Sequence, residues 1–250
     1  MDYVYGFIMF LLGTVLTSFF QLVAERLPKQ QTIQGRSHCN QCHHTLSLLE
    51  VIPIIGYIFR KGRCKHCGFH IPRCYPVLEF LGGLIFLTAY LYAGFSTELV
   101  VIAMMYTVFY IEVMTDLRHK IVLDRIWMIA LIPLVIVRII EGNFTTYLIS
   151  SLTLFSLLFS ISFLAQKFYK KDALGGGDVK LYAFIGWLIP LFSGLLSLFI
   201  ASLFGFIYGM IKRKEVKNGF PLVPFIFLGV IISYFYGDWL IEWYINLFRM

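Results

Sequence analysis

Charge is what this sequence lacks most. Only 14% of its 250 residues are charged and 59% are hydrophobic, whereas about a quarter of a soluble domain is charged. A mean hydropathy of +0.78 leaves too little polar surface for a water-soluble globule. Acidic residues number only 14, so each one near an apolar run carries information. No small-x-small cleavage site follows the first apolar run, which therefore reads as a permanent span rather than a cleavable signal peptide. Cysteine is absent outside residues 39–74. The Gly-Gly-Gly-Asp segment at 175–178 has no second copy, so the internal repeat typical of transporters is missing.

Long apolar runs are abundant: residues 4–24, 77–94, 99–115, 122–140, 146–166, 179–211 and 222–247. About 20 mostly apolar residues cross a hydrocarbon core about 30 Å thick. The run from Val179 to Ile211 would make a helix of about 50 Å, too long for one crossing, and Pro190 and Gly194 offer a turn within it. Charge supports the split. Cytoplasmic loops collect Lys and Arg. With the split, one side holds the eight basic residues of 25–76, then Arg118, Lys120 and Arg125, then Lys167, Lys170, Lys171 and Lys180, then Lys212, Arg213, Lys214 and Lys217. Only Arg138 and Arg249 face the other way.

The expected fold is therefore an all-α polytopic membrane protein with eight transmembrane helices and both termini outside. A first helix occupies 1–24, a small cytoplasmic four-cysteine module 25–76, and seven helices 77–250. The net charge of +7 reads as an orientation signal and a match to an anionic lipid bilayer, not as nucleic-acid binding.

The module contains Cys39-x-x-Cys42 and Cys64-x-x-Cys67, separated by 21 residues, with Cys74 left over. Paired thiolates at this spacing suit a zinc-ribbon-like site with tetrahedral zinc. Gly68 follows the second pair, where a knuckle wants a permissive backbone. Disulfides are the competing reading, and a reducing cytosolic side argues against them. A core this small also gains from a structural metal. His38, His43, His44, His66 and His70 are alternative ligands but read as solvated loop residues, and Cys74 as a packed thiol.

A carboxylate within a span is costly and invites a functional reading. Asp2, Glu98, Glu141, Asp238 and Glu242 lie at outer ends, where water accounts for them; Glu25, Asp172 and Glu215 sit in basic cytoplasmic stretches. Asp116 and Asp178 differ, because the topology brings both to the cytoplasmic face at similar depth. Asp178 alone would pass as a helix N-cap. The preceding Gly175, Gly176 and Gly177 predict a non-helical approach up to Asp178, bare enough for a substrate strand to come close.

These segments together resemble the type IV prepilin peptidases. "SFFQLVAERLP" at 18–28 is similar to that family's first span and exit, and the double cysteine pair to its cytoplasmic domain. "YPVLEFLGG" at 75–83 resembles the lead-in to its second span. "DLRHKIVLD" at 116–124 and "GGGDVKL" at 175–181 resemble the motifs around its two catalytic aspartates, and "FPLVPFIFLG" at 220–229 the start of its last span. Three departures stand out: Leu123 where the family usually has Pro, Gln21 where Asn is common, and "IPRCYP" before the second span.

The resemblance implies a membrane aspartyl endopeptidase with Asp116 and Asp178 as catalytic residues. It implies removal of the short basic leader of type IV prepilin-like precursors at the cytoplasmic face of a bacterial plasma membrane. It further implies, for many members, N-methylation of the new terminus with S-adenosylmethionine. The short form resembles the competence-type enzymes of Gram-positive bacteria. Gly175, Gly176, Gly177, Lys180 and Glu79 are candidates for substrate binding or tuning, with Glu112 beside them; His119 reads as interfacial. A methyl-donor site is expected between the cysteine module and the helices. The alternative from another class is an ion- or proton-coupled transporter with a zinc-binding cap, and an interaction scaffold leaves the glycine triplet unexplained.

Overall fold

The computed structural model describes residues 2–39, 41–169, 175–212 and 221–247. Lys170, Lys171, Asp172, Arg213, Lys214, Glu215, Lys217 and Arg249, which entered the charge argument above, lie outside the described residues. Within them the chain is helical, with two isolated antiparallel bridges and no strand. It divides into two compact units, Met1–Ala103 and Met104–Met250.

In the first unit, α1 (Asp2–Arg26) lies along α4 (Cys74–Ala93). Glycine permits the contact: a Cβ on Gly13 would sit 2.6 Å from the Gly82 carbonyl oxygen, and one on Gly83 2.7 Å from the Phe10 ring. Small residues at a helix interface are how membrane helices gain packing where lipid offers no hydrophobic drive. Between these helices the chain forms the short α2 (Leu48–Val51) and α3 (Ile55–Phe59) and two cysteine knuckles. The start of α5 (Thr97–His119) completes this unit, and the rest of α5 belongs to the second.

The second unit continues with α6 (Asp124–Ile140), α7 (Phe144–Tyr169), α8 (Gly176–Leu188), α9 (Leu191–Ile211) and α10 (Val223–Leu247). The break within 179–211 falls at extended Ile189 and Pro190, which cannot continue α8. Helix α8 is apolar on every side and buried from Val179 through Leu188 apart from Lys180 and partly covered Ala183, so it is an interior helix rather than an amphipathic one. A Cβ on Gly186 would collide with Ser151 of α7 at 2.2 Å, and Ser150 and Ser151 donate to the carbonyls of Ile189 and Ala183 at 3.0 and 2.7 Å. Arg138, buried at the end of α6, donates to the Trp187 and Leu188 carbonyls at 3.1 and 2.9 Å and so satisfies the C-terminus of α8.

Six of the helices, α1, α4, α5, α7, α9 and α10, are long and apolar enough to cross a membrane. The expectation of eight is met only that far. Helix α6 has 17 residues and α8 has 13, which at 1.5 Å each are about 25 and 20 Å, short of a full hydrocarbon core. Ile189–Pro190 cuts the apolar run of 179–211, and the turn after Lys120 delays the start of α6 to Asp124.

Candidate active site

The site in the second unit is built from the end of α5 and the starts of α6, α8 and α10. Asp116 is in the last turn of α5 and is buried. Its Oδ2 accepts a hydrogen bond from the Val223 N–H at 2.9 Å. That N–H belongs to the first residue of α10, where the helix has no internal partner to offer it, so Asp116 supplies the cap from another element. After Asp116 the chain leaves α5 through Lys120, whose left-handed backbone has φ 56°, and returns through 121–123 to start α6 at Asp124.

Asp178 is the third residue of α8, and its carboxylate and that of Asp116 are within electrostatic reach of each other. The glycine triplet differs from expectation. Gly175 is the extended N-cap, and the helix begins at Gly176 rather than at Asp178. Steric space explains this better than helix propensity. A Cβ on Gly177 would lie 2.6 Å from that of Val122, whereas nothing lies within 4 Å at Gly176. Close packing on Val122 holds the first turn helical although glycine disfavours it. Asp178 also lines a small cavity of about 30 Å³ with Tyr182, Leu158, Leu198, Leu222 and Ile226, large enough for one water.

Among the tuning candidates, Lys180 donates to Asp124 at 2.6 Å, pairing α8 with α6 at an exposed position. Glu112 is fully buried and accepts the Leu123 N–H at 2.9 Å. His119 is exposed. Reading along the sequence missed Val223, Leu222, Val122 and Tyr182. The proline-rich lead-in to α10 was the only signal for the first two, and it marks a helix start rather than a carboxylate partner.

Glu79 belongs to the first unit, where it is buried and accepts the Ile54 N–H at 2.7 Å. Ile54 has φ 62°, a left-handed conformation costly for a β-branched residue. Glu79 lines a cavity of about 300 Å³ together with Gln21, Glu25, Glu50, Tyr57 and Tyr75. Gln21 donates to the Tyr75 carbonyl at 3.2 Å and the Tyr75 hydroxyl donates to Glu25, so the exit of α1 is tied to the start of α4. The Ser47 N–H and the Arg60 guanidinium at 2.8 Å hold the Glu50 carboxyl below its usual range.

The four paired cysteines gather into one cluster, with all sulfurs within 4.8 Å of one another. Cys39 and Cys67 are 3.7 Å apart and Cys42 and Cys64 3.9 Å, close to the edge of about 3.8 Å that four Zn–S bonds of 2.3 Å require. The two knuckles match. Cys39 N–H donates to His44 and His43 N–H to Cys39; Cys64 N–H donates to Phe69 and Gly68 N–H to Cys64. The turn residues His43 and Gly68 both have positive φ, 55° and 69°. The Cys42 N–H holds the Cys39 thiol down against the upward push of burial. At Cys67 the pull of the Phe69 N–H is outweighed by burial and the three other sulfurs, which push the thiol up, as in four crowded thiols that cannot all ionise without a cation among them. Cys74 begins α4 outside the cluster and is exposed rather than packed. The donor set fits zinc.

Residues 11–93 match the Bacterial Peptidase A24 N-terminal domain, and residues 102–210 match the Type IV leader peptidase family. A "Prepilin leader peptidase/N-methyltransferase" of Bacillus subtilis is 31% identical, over 96% of this chain and 98% of that protein. One of the same name from Vibrio cholerae is 26% identical over 94% and 98%. A "Type 4 prepilin-like proteins leader peptide-processing enzyme" of Escherichia coli is 30% identical over 88% and 90%. No solved structure matches. None of these relatives supports the transporter alternative. With two family models matched over most of its length, and a relative 31% identical over nearly the full length of both chains, the chain belongs to the type IV leader peptidase family.

Proposed function

We propose that the chain is a membrane aspartyl endopeptidase that removes the short basic leader of prepilin-like precursors, with Asp116 and Asp178 as its catalytic pair. The observation that carries this is their convergence: Asp116 accepts the Val223 N–H, and Leu222, the residue before that donor, lines the same cavity as Asp178. Two such carboxyls cannot both ionise easily and share a proton. The ionised member takes a proton from water as that water attacks the scissile carbonyl. The protonated member polarises the carbonyl oxygen, and the proton goes on to the departing amine. The pair titrates as a unit, so its apparent values belong to both residues. Gly176, open on its outer side, offers a bare backbone to an extended substrate strand.

In this reading the active site and the cysteine module face the cytoplasm of a bacterial plasma membrane, and α6 and α8 complete eight crossings with both termini outside. Cys39, Cys42, Cys64 and Cys67 hold a structural zinc that folds the module. The second activity is N-methylation of the freed amine. S-adenosylmethionine, when bound, supplies the methyl group. The cavity of about 300 Å³ in the first unit is at the lower end of small-molecule sites, and its mixed lining of Glu25, Glu79, Arg26 and Arg63 suits a zwitterionic ligand with both a cationic centre and a carboxylate. Co-expression with a pilin-like precursor tests the proposal: mass spectrometry of the product should find a new N-terminus after the leader and, for the second activity, an added methyl. An uncut precursor beside correctly inserted protein would refute it.

A further inference from the structure

We propose that Glu112 is a positioning residue that fixes the start of α8, and with it Asp178, by holding the 121–123 return in place. The inference rests on Asp178 being half of the catalytic pair. Glu112 lies one helical turn before Asp116 on α5 and is fully buried, 0% exposed. A carboxyl so enclosed is costly unless it is hydrogen-bonded. Its Oε2 accepts the Leu123 N–H at 2.9 Å, and its Oε1 has no hydrogen-bond partner among the described residues. Leu123 is the extended N-cap of α6, with φ −95° and ψ 94°, and its N–H is part-buried, so leaving it unpaired would cost up to about as much as a lost hydrogen bond.

The bond matters because of what the neighbouring residue touches. Val122, one position before Leu123, is the residue against which Gly177 packs too closely to admit a Cβ. Glu112 thus sets where Val122 stands, Val122 sets how closely Gly177 approaches, and Asp178 is next in the chain. The Arg138 hydrogen bonds hold the far end of α8; at its start the ion pair Lys180 to Asp124 has side chains 50% and 37% exposed, and such a pair contributes little. Glu112 does not line the cavity that Asp178 lines. It acts on the reaction through Leu123 and Val122 rather than by touching substrate.

The test uses the full chain in detergent with a pilin-like precursor. In Glu112→Gln the amide oxygen accepts the same N–H, so kcat, KM and the pH profile of cleavage stay close to wild type. Glu112→Leu cannot accept it: kcat falls about a hundredfold at similar KM, as misplacement of a reacting group does. Hydrogen exchange across 120–124 then rises about tenfold, the loss of one hydrogen bond. Proline has no N–H and holds φ near −65°. Leu123→Pro alone leaves Glu112 without a donor and lowers kcat, whereas adding it to Glu112→Leu restores cleavage. Glu112→Gln and Leu123→Pro decide the matter even where Glu112→Leu fails to insert. A Gln variant as inactive as the Leu variant, a shifted pH profile, or unchanged exchange in Glu112→Leu would overturn the proposal. A wild-type chain that cuts nothing would overturn the peptidase reading alone, because the exchange measurement does not depend on cleavage.

Discussion

Asp116 accepts its hydrogen bond from Val223, 107 residues further along the chain. The contact joins the end of α5 to the first backbone donor of α10, and Leu222, just before that donor, lines the cavity beside Asp178. One short stretch of backbone therefore touches the surroundings of both carboxylates. This is a reason for the proline-rich lead-in to α10. Pro221 and Pro224 restrict the chain on either side of the two residues in contact with the site.

Deleting that donor should slow cleavage. Val223 is the first helical residue, a position where proline fits, so Val223→Pro removes the N–H with little other disturbance. The kcat should drop about tenfold or more, the worth of a hydrogen bond to a charged group. Val223→Ala keeps the N–H and should lose only packing. Equal rates for the proline variant and wild type would show that the contact does not matter to the reaction.

The glycines should separate into two roles. Gly177→Ala places a methyl 2.6 Å from Val122 and must push α8 away, so kcat should collapse. Gly176→Ala meets nothing within 4 Å, so the protein should insert and melt as wild type does. Its cost should appear in KM, if the open side of Gly176 is where substrate approaches. Steady-state kinetics on a leader peptide distinguish the two.

Purified protein should contain about one zinc per chain held by four thiolates. Replacing Cys39 and Cys42 by Ser should release it and open residues 29–76 to proteases; Cys74→Ser should do neither. Metal analysis of reduced protein that finds no zinc would contradict the site.

Single reporter cysteines at positions 96, 143 and 192 of an otherwise cysteine-free chain should react with an impermeant reagent from outside. One at position 212 should react only after permeabilisation. Labelling of 212 from outside would mean that α8 does not complete a crossing.

Local features were legible in the sequence and distant ones were not. The cysteine spacing suggested a four-sulfur cluster because two knuckles need only local turns. Pro190 marked the end of α8 because proline cannot continue a helix. The glycine triplet misled: propensity put the helix start at Asp178, but the packing of Gly177 on Val122 starts it at Gly176. The lengths of α6 and α8, 17 and 13 residues, were not legible, because apolar composition does not reveal where a buried helix stops. Leu123 was noted only as a departure from proline. Its N–H to Glu112 depends on how 120–123 folds back on α5, which no periodicity encodes.

The central claim is that Asp116 and Asp178 together cut the precursor. Asp116→Asn and Asp178→Asn, each co-expressed with a pilin-like precursor and each verified to insert, test it most directly by mass spectrometry of the product's N-terminus. Asparagine keeps the size of the side chain and removes the titrating group, so both variants should leave the precursor uncut while Asp124→Asn still cuts. Full processing by either of the first two would contradict the account.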